Sequence, residues 1–131
     1  MKLTNLYNEG ACGIEQALFA GEVAFNTEDI ENGIPLVEVP ANFVITRAVA
    51  KVKTVFNAAT TNVLTLGTDE SVSDLLGAND VTEGTAGAYQ KQTWVETGAA
   101  KKTVKAKYTQ SGTAATTGKA EFYIFVMKLP E

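Results

Sequence analysis

Alternation of apolar and polar residues is cleanest over residues 102–110, where Val104, Ala106 and Tyr108 fall on one side of an extended chain and Thr103, Lys105, Lys107 and Thr109 on the other. A strand with one face in a core and the other in water reads this way. Residues 119–129 alternate too, but both sides are apolar: Phe122, Ile124 and Val126 oppose Tyr123, Phe125 and Met127. That strand is expected at the centre of a sheet, covered on one side by a second sheet and on the other by an arm, a loop or a neighbouring subunit. Residues 44–68 hold two runs rich in Val, Ile, Leu and Thr around Asn57-Ala-Ala-Thr-Thr-Asn62 and are predicted to form a β-hairpin. In its first arm Val44, Ala48, Ala50, Val52 and Phe56 share one face, and Phe43, Ile45, Val49 and Val55 share the other with Arg47, Lys51 and Lys53. In its second arm Leu64 and Leu66 are expected to face the core.

The remaining segments are shorter. Residues 14–25 are predicted to be one or two strands, because Phe19, Val23 and Phe25 favour extended chain and Gly21 suits a bulge or bend. The acidic stretch 26–33 is expected to turn, with a short helical turn capped by Thr27. Ile34-Pro-Leu-Val-Glu-Val-Pro40 reads as an edge strand, since a proline cannot donate to a ladder. Ser71-Val-Ser-Asp-Leu-Leu76 is predicted as one helical turn ended by Gly77, with Val72, Leu75 and Leu76 packing down. Residues 89–97 form a further strand, and 111–118 a small-residue loop. Seven or eight short strands with Gly-, Asn- and Thr-rich turns define an all-β chain, a single-domain antiparallel β-sandwich with jelly-roll-like connections and little helix. Residues 1–13 are predicted to be an N-terminal arm, and 14–131 the sandwich domain.

Composition narrows the chemistry. At 131 residues, 45% hydrophobic and 20% charged, the chain suits one globular domain. It contains no histidine and one cysteine, Cys12, so Ser-His-Asp triads, Cys/His zinc sites and an internal disulfide are excluded. Asp69, Glu70, Asp74, Asp80 and Glu83 invite a calcium reading, but their spacing does not match an EF-hand loop, and solvated loop acids have the same appearance. No cofactor or metal is expected, no pair of carboxylates is singled out for catalysis, and the chain reads as non-enzymatic. Apolar runs end well before membrane-spanning length and no Sec-type signal is visible, so no membrane span is expected. The net charge of −4, without a compact basic run, argues against nucleic acid. The first 46 residues are strongly acidic, whereas lysines predominate from Gly84 onward. Such a split serves attraction between copies or cancels within one subunit. Among Trp94, Tyr89, Tyr108 and Tyr123, which could stack sugars, Tyr108 and Trp94 are expected in the core and Tyr89 at a loop edge.

A resemblance runs through residues 33–129. Pro40-Ala-Asn-Phe-Val-Ile-Thr-Arg-Ala-Val49, Lys51-Val-Lys53, Val55-Phe-Asn57, Thr60-Thr-Asn62 and Leu66-Gly-Thr68 resemble the pattern of small structural proteins of tailed bacteriophages and prophages. Asp80-Val81, Gly84-Thr-Ala-Gly87, Tyr108-Thr-Gln-Ser-Gly-Thr-Ala-Ala-Thr-Thr-Gly118 and Ala120-Glu-Phe-Tyr123 continue it. The chain is similar to single jelly-roll head decoration, or cement, proteins. That resemblance implies a protein made in the host cytoplasm that binds the outer surface of the assembled head as a homotrimer, with the major capsid protein as partner. Leu3, Leu6 and Tyr7 of the arm, and Tyr123 and Phe125 of the last strand, are the expected capsid or subunit contacts. The competing classes are a receptor- or carbohydrate-binding module of the virion and a tail structural component.

Overall fold

Residues 13–69 and 71–130 are described by a computed structural model. The strands are β1 (Glu15–Ala24), β2 (Ile34–Val39), β3 (Phe43–Thr54), β4 (Thr61–Thr68), β5 (Ser71–Leu76), β6 (Gly87–Glu96), β7 (Lys102–Ser111) and β8 (Lys119–Lys128). They form two four-stranded antiparallel sheets, ordered β1-β8-β3-β6 and β2-β7-β4-β5. The sheets face one another as the sandwich that the alternation anticipates, with jelly-roll connectivity. The doubly apolar β8 is internal to its sheet, between β1 and β3, and β2, with Pro35 near its start and Pro40 just past its end, lies at an edge.

The inward side chains make one continuous core. Ala120, Phe122, Ile124 and Val126 of β8, Ala48, Ala50 and Val52 of β3, Leu64 and Leu66 of β4, and Val104, Ala106 and Tyr108 of β7 are all buried in it. Burying one such side chain stabilises the fold by roughly 1.5–3 kcal/mol, and every connection must respect that layer. Consecutive strands lie in different sheets except β4 and β5, which pair directly. The predicted hairpin over residues 44–68 is therefore not one: β3 pairs with β8 and β6, whereas β4 pairs with β7 and β5. The 55–60 segment is a crossover between sheets, which stand about 10 Å apart in such sandwiches. It carries Phe56 into the core, where its ring lies 4.7 Å from that of Tyr108.

Residues 71–76, expected as a helical turn, are strand β5. Its pairing with β4 is irregular, Leu66 opposing Leu76 and Thr68 opposing Ser71. Asp74 reaches back to accept hydrogen bonds from the Thr68 N–H (2.8 Å) and hydroxyl (2.6 Å), occupying groups that the broken ladder leaves over. Leu75 and Leu76 are adjacent yet both fully buried, a burial pair that mimics a helical stripe in the sequence; the Val72 side chain lies outside the described part. The short helical turn is 3-10, Ile30–Asn32, and is preceded by Asp29 in a left-handed conformation. Thr27 does not cap it; its hydroxyl accepts from the Ala24 N–H and closes the end of β1.

A β-bulge between Ile45 and Arg47 corrects the faces predicted for β3. Before the bulge Ile45 points into the core, and after it Ala48, Ala50 and Val52 do. Val44 is fully buried but stands outside the core cluster. A hydroxyl fills the gap in the ladder, Thr93 donating to the Ile45 carbonyl (2.7 Å). The bulge anticipated near Gly21 is present between Phe19 and Gly21. A side chain at Gly21 would press against Leu36, so this glycine lets β1 and β2 approach where the two sheets meet at one edge.

The end of the core beneath the 55–60 crossover is held by polar groups. Asn62 accepts from the Ala58 N–H (3.0 Å) and from the Tyr108 hydroxyl, and its amide donates to the Ala58 carbonyl (3.1 Å). Glu83, only 7% exposed, accepts from the Leu64 N–H at 2.9 Å, and burial raises its pKa above the ordinary 4.5. The folded protein thus binds this proton more tightly than the unfolded chain. Its contribution to stability is complete below about pH 4.5 and is lost as pH rises through the raised value. Urea unfolding of Glu83→Gln beside wild type should show that loss removed, the variant gaining relative stability between acid and neutral pH. Gly118 carries the second prediction: any side chain there strikes the buried Phe56 ring. Gly118→Ala should cost about 1–3 kcal/mol, as overpacking does, read from the urea midpoint.

Candidate functional site

Strand register assembles the outer face of the β1-β8-β3-β6 sheet into rows that cross all four strands. Phe19, Tyr123, Val49 and Gln90 make one row, and Ala17, Phe125, Arg47 and Gln92 the next. Toward one end the row is Glu15, Met127, Val44 and Glu96; toward the other it is Glu22, Glu121, Lys51 and Ala88. Two of the predicted contact residues, Tyr123 and Phe125, therefore sit in the middle of this face. Leu3, Leu6 and Tyr7 lie outside the described residues.

Sequence reasoning did not connect three further side chains to the face. Phe19 is 56% exposed, and its ring lies 5.4 Å from that of Tyr123, tilted by 56°. Arg47 places its guanidinium 4.8 Å from the centre of the Phe125 ring, a cation–π arrangement. Trp94, expected in the core, is instead 59% exposed at the β6 margin and donates its indole N–H to Glu96 at 2.9 Å. Alternation in β1 and β6 offered two faces each, but nothing local says which faces the core. The cross-strand partners settle it.

Charges border the aromatic centre. Lys53 lies 3.3 Å from Glu22 and 3.7 Å from Glu121, and Lys119 reaches Glu22 at 4.0 Å. The hydrogen bond from Lys53 to Glu22, followed by the charge of Glu121, raises the ammonium pKa. The Tyr123 hydroxyl donates to Glu121 at 3.1 Å, which raises the phenol pKa above its usual 10.0. At the opposite end Glu15 accepts from Thr46. Pairs such as Lys119–Glu22 and Lys101–Glu38 join the acidic first third of the chain to its basic end within one subunit.

The other sheet presents a different surface. Its β7 contributes Thr103, Lys105, Lys107 and Thr109 outward, with Lys105 3.6 Å from Asp69. An open groove of about 420 Å³ follows the β2 edge beside Pro35, Leu36, Val37, Glu38 and Thr103. The loop acids disperse: Asp69 accepts from the Thr103 N–H, Asp74 binds Thr68, and Asp80 takes the Gly77 N–H and Lys91. Glu83 is inside, and Glu70 lies outside the described residues. Among the described residues no three Asp, Glu, His or Cys side chains gather closely enough to hold a metal ion.

The fold is shared with chains of phage capsid structures. A chain of the capsid asymmetric unit of cyanophage Pam1 superposes with a TM-score of 0.66 at 15% identity, over 88% of this chain and 85% of that one. A chain of the acidic stable capsid structure of Helicobacter pylori bacteriophage KHP30 gives a TM-score of 0.54 at 14% identity, over 90% and 95%. Both matched chains are thus of nearly the same length as this one. No family model matches the sequence, and no curated protein does.

The Tyr123–Glu121 contact is directly testable. In a tyrosine-selective ¹³C NMR titration, Glu121→Gln should lower the pKa of the Tyr123 phenol while leaving that of the buried Tyr108 in place.

Proposed function

We propose that this protein is a structural component of a phage virion, a decoration protein that binds the outer surface of the assembled head and stabilises the shell. The observation that carries this reading is the jelly-roll fold itself, shared over nearly the whole length with similarly sized chains of two phage capsid structures. The aromatic outer face supports it, since it offers area for docking. The resemblance in residues 33–129 points the same way and adds the finer terms: the major capsid protein as partner and a homotrimer as the bound form. The apolar Leu3, Leu6 and Tyr7 suit residues 1–13 to an arm extending the contact, outside the stretch that carries the resemblance. Several copies that each bridge neighbouring shell subunits make a durable lattice from modest individual interfaces. Such a role requires no catalytic group.

One feature favours a second reading. An exposed tryptophan fixed by Glu96 is a ready stacking platform for a sugar ring, which a receptor-binding module of the virion would use. The two readings separate on mixing the protein with heads that lack it. Co-sedimentation at a saturating ratio, with a higher temperature for head disruption, is the expected outcome. A protein that ignores heads but shifts on a glycan array would overturn the decoration reading in favour of the second.

A further inference from the structure

We infer that the outer face of the β1-β8-β3-β6 sheet is the surface that meets the shell, and that it takes a protein surface bearing an apolar ridge and a carboxylate opposite Arg47. The inference rests on the decoration reading and specifies its orientation and its partner's chemistry. The two sheets offer a choice. The outward side of β7 is threonine and lysine, whereas the facing rows of β1, β8 and β3 bring Phe19, Tyr123, Phe125 and Val49 together. Phe19 leaves over half of its ring in water while performing no service to the core, a cost that a covering partner removes. The rings stand on paired strands and on one another, so little order is lost when they are covered.

Charge then specifies what covers them. At one end Lys53 and Lys119 are already shared with Glu22 and Glu121, and at the other Glu15 is engaged by Thr46. Arg47, in the middle, rests on Phe125 and has no carboxylate partner among the described residues. Burying that guanidinium under a neutral or basic surface would leave a charge unpaired and desolvated, which is strongly unfavourable. A partner carboxylate supplies the planar, bidentate acceptor that arginine fits. The acidic groups at both ends disfavour a polyphosphate partner.

The face is also small. Four strands about 4.8 Å apart, each of 10–12 residues at about 3.3 Å, present roughly 600–750 Å² in projection, short of the ~800 Å² per partner of a standard stable complex. One copy should therefore bind weakly, and several copies durably.

The test compares co-sedimentation of four variants with heads that lack the protein, each first shown to melt as wild type does. Phe19→Asp and Arg47→Glu alter the aromatic face; Lys107→Glu and Thr109→Asp alter the opposite one. The expected result is at least a tenfold loss of affinity for the first two, with the second two within twofold of wild type. Arg47→Lys, which keeps the charge but not the bidentate fork, should bind between Arg47→Glu and wild type. Wild-type binding by Phe19→Asp and Arg47→Glu would overturn the inference while leaving decoration intact, as would loss confined to the β7 pair. Failure of the wild-type protein to bind any head would remove the decoration reading and this inference with it.

Discussion

The contact on which the rest of this structure depends is the ring of Phe56 against Tyr108 at one end of the sandwich. Nearly every connection must carry the chain from one sheet to the other, and each crossing threatens to open the core to water. At the 55–60 crossing the chain turns a large ring inward rather than presenting a polar turn. The polar groups that follow the ring inside are satisfied in place. The Tyr108 hydroxyl reaches Asn62, Asn62 ties down Ala58, and Glu83 receives the Leu64 N–H. Gly118 completes the arrangement from the start of β8, because only a residue without a side chain leaves room for the ring.

With its end closed, the core turns the outer faces into free variables, and bulges decide what they display. Without the irregularity between Ile45 and Arg47, one strand could not place both Ile45 and Ala48 inside. The same shift sends Arg47 and Val49 outward beside Phe125 and Tyr123. The irregularity in β1 likewise sets Phe19 next to Tyr123 while Val23 stays inside. Features that look like defects in the ladder therefore compose the aromatic face, and the hydroxyl of Thr93 occupies the Ile45 carbonyl beside the bulge in β3. This is also why an exposed aromatic face is compatible with an ordinary core: the two faces of each strand answer to different constraints.

The chain itself determined that this would be an all-β sandwich. Period-two alternation in β7, the doubly apolar β8 and the prolines around β2 each report a local environment, and local environments were legible residue by residue. So was a second apolar side of that central strand, the one that carries Tyr123 and Phe125. The composition likewise removed Ser-His-Asp triads and Cys/His zinc sites, since the chain has no histidine.

What only the tertiary structure decided is which strands are neighbours. A turn-rich gap looks the same whether the next strand folds back beside the last or crosses to the opposite sheet, and so the 44–68 segment resembled a hairpin. The true consecutive pair, β4 and β5, was obscured because Leu75 and Leu76 are both buried at an irregular register that imitates a helix. Phe19 and Arg47 acquire meaning only beside residues from distant parts of the chain. Alternation specifies that a strand has two faces; the partner strands, through long-range hydrogen bonding, specify which face is inside.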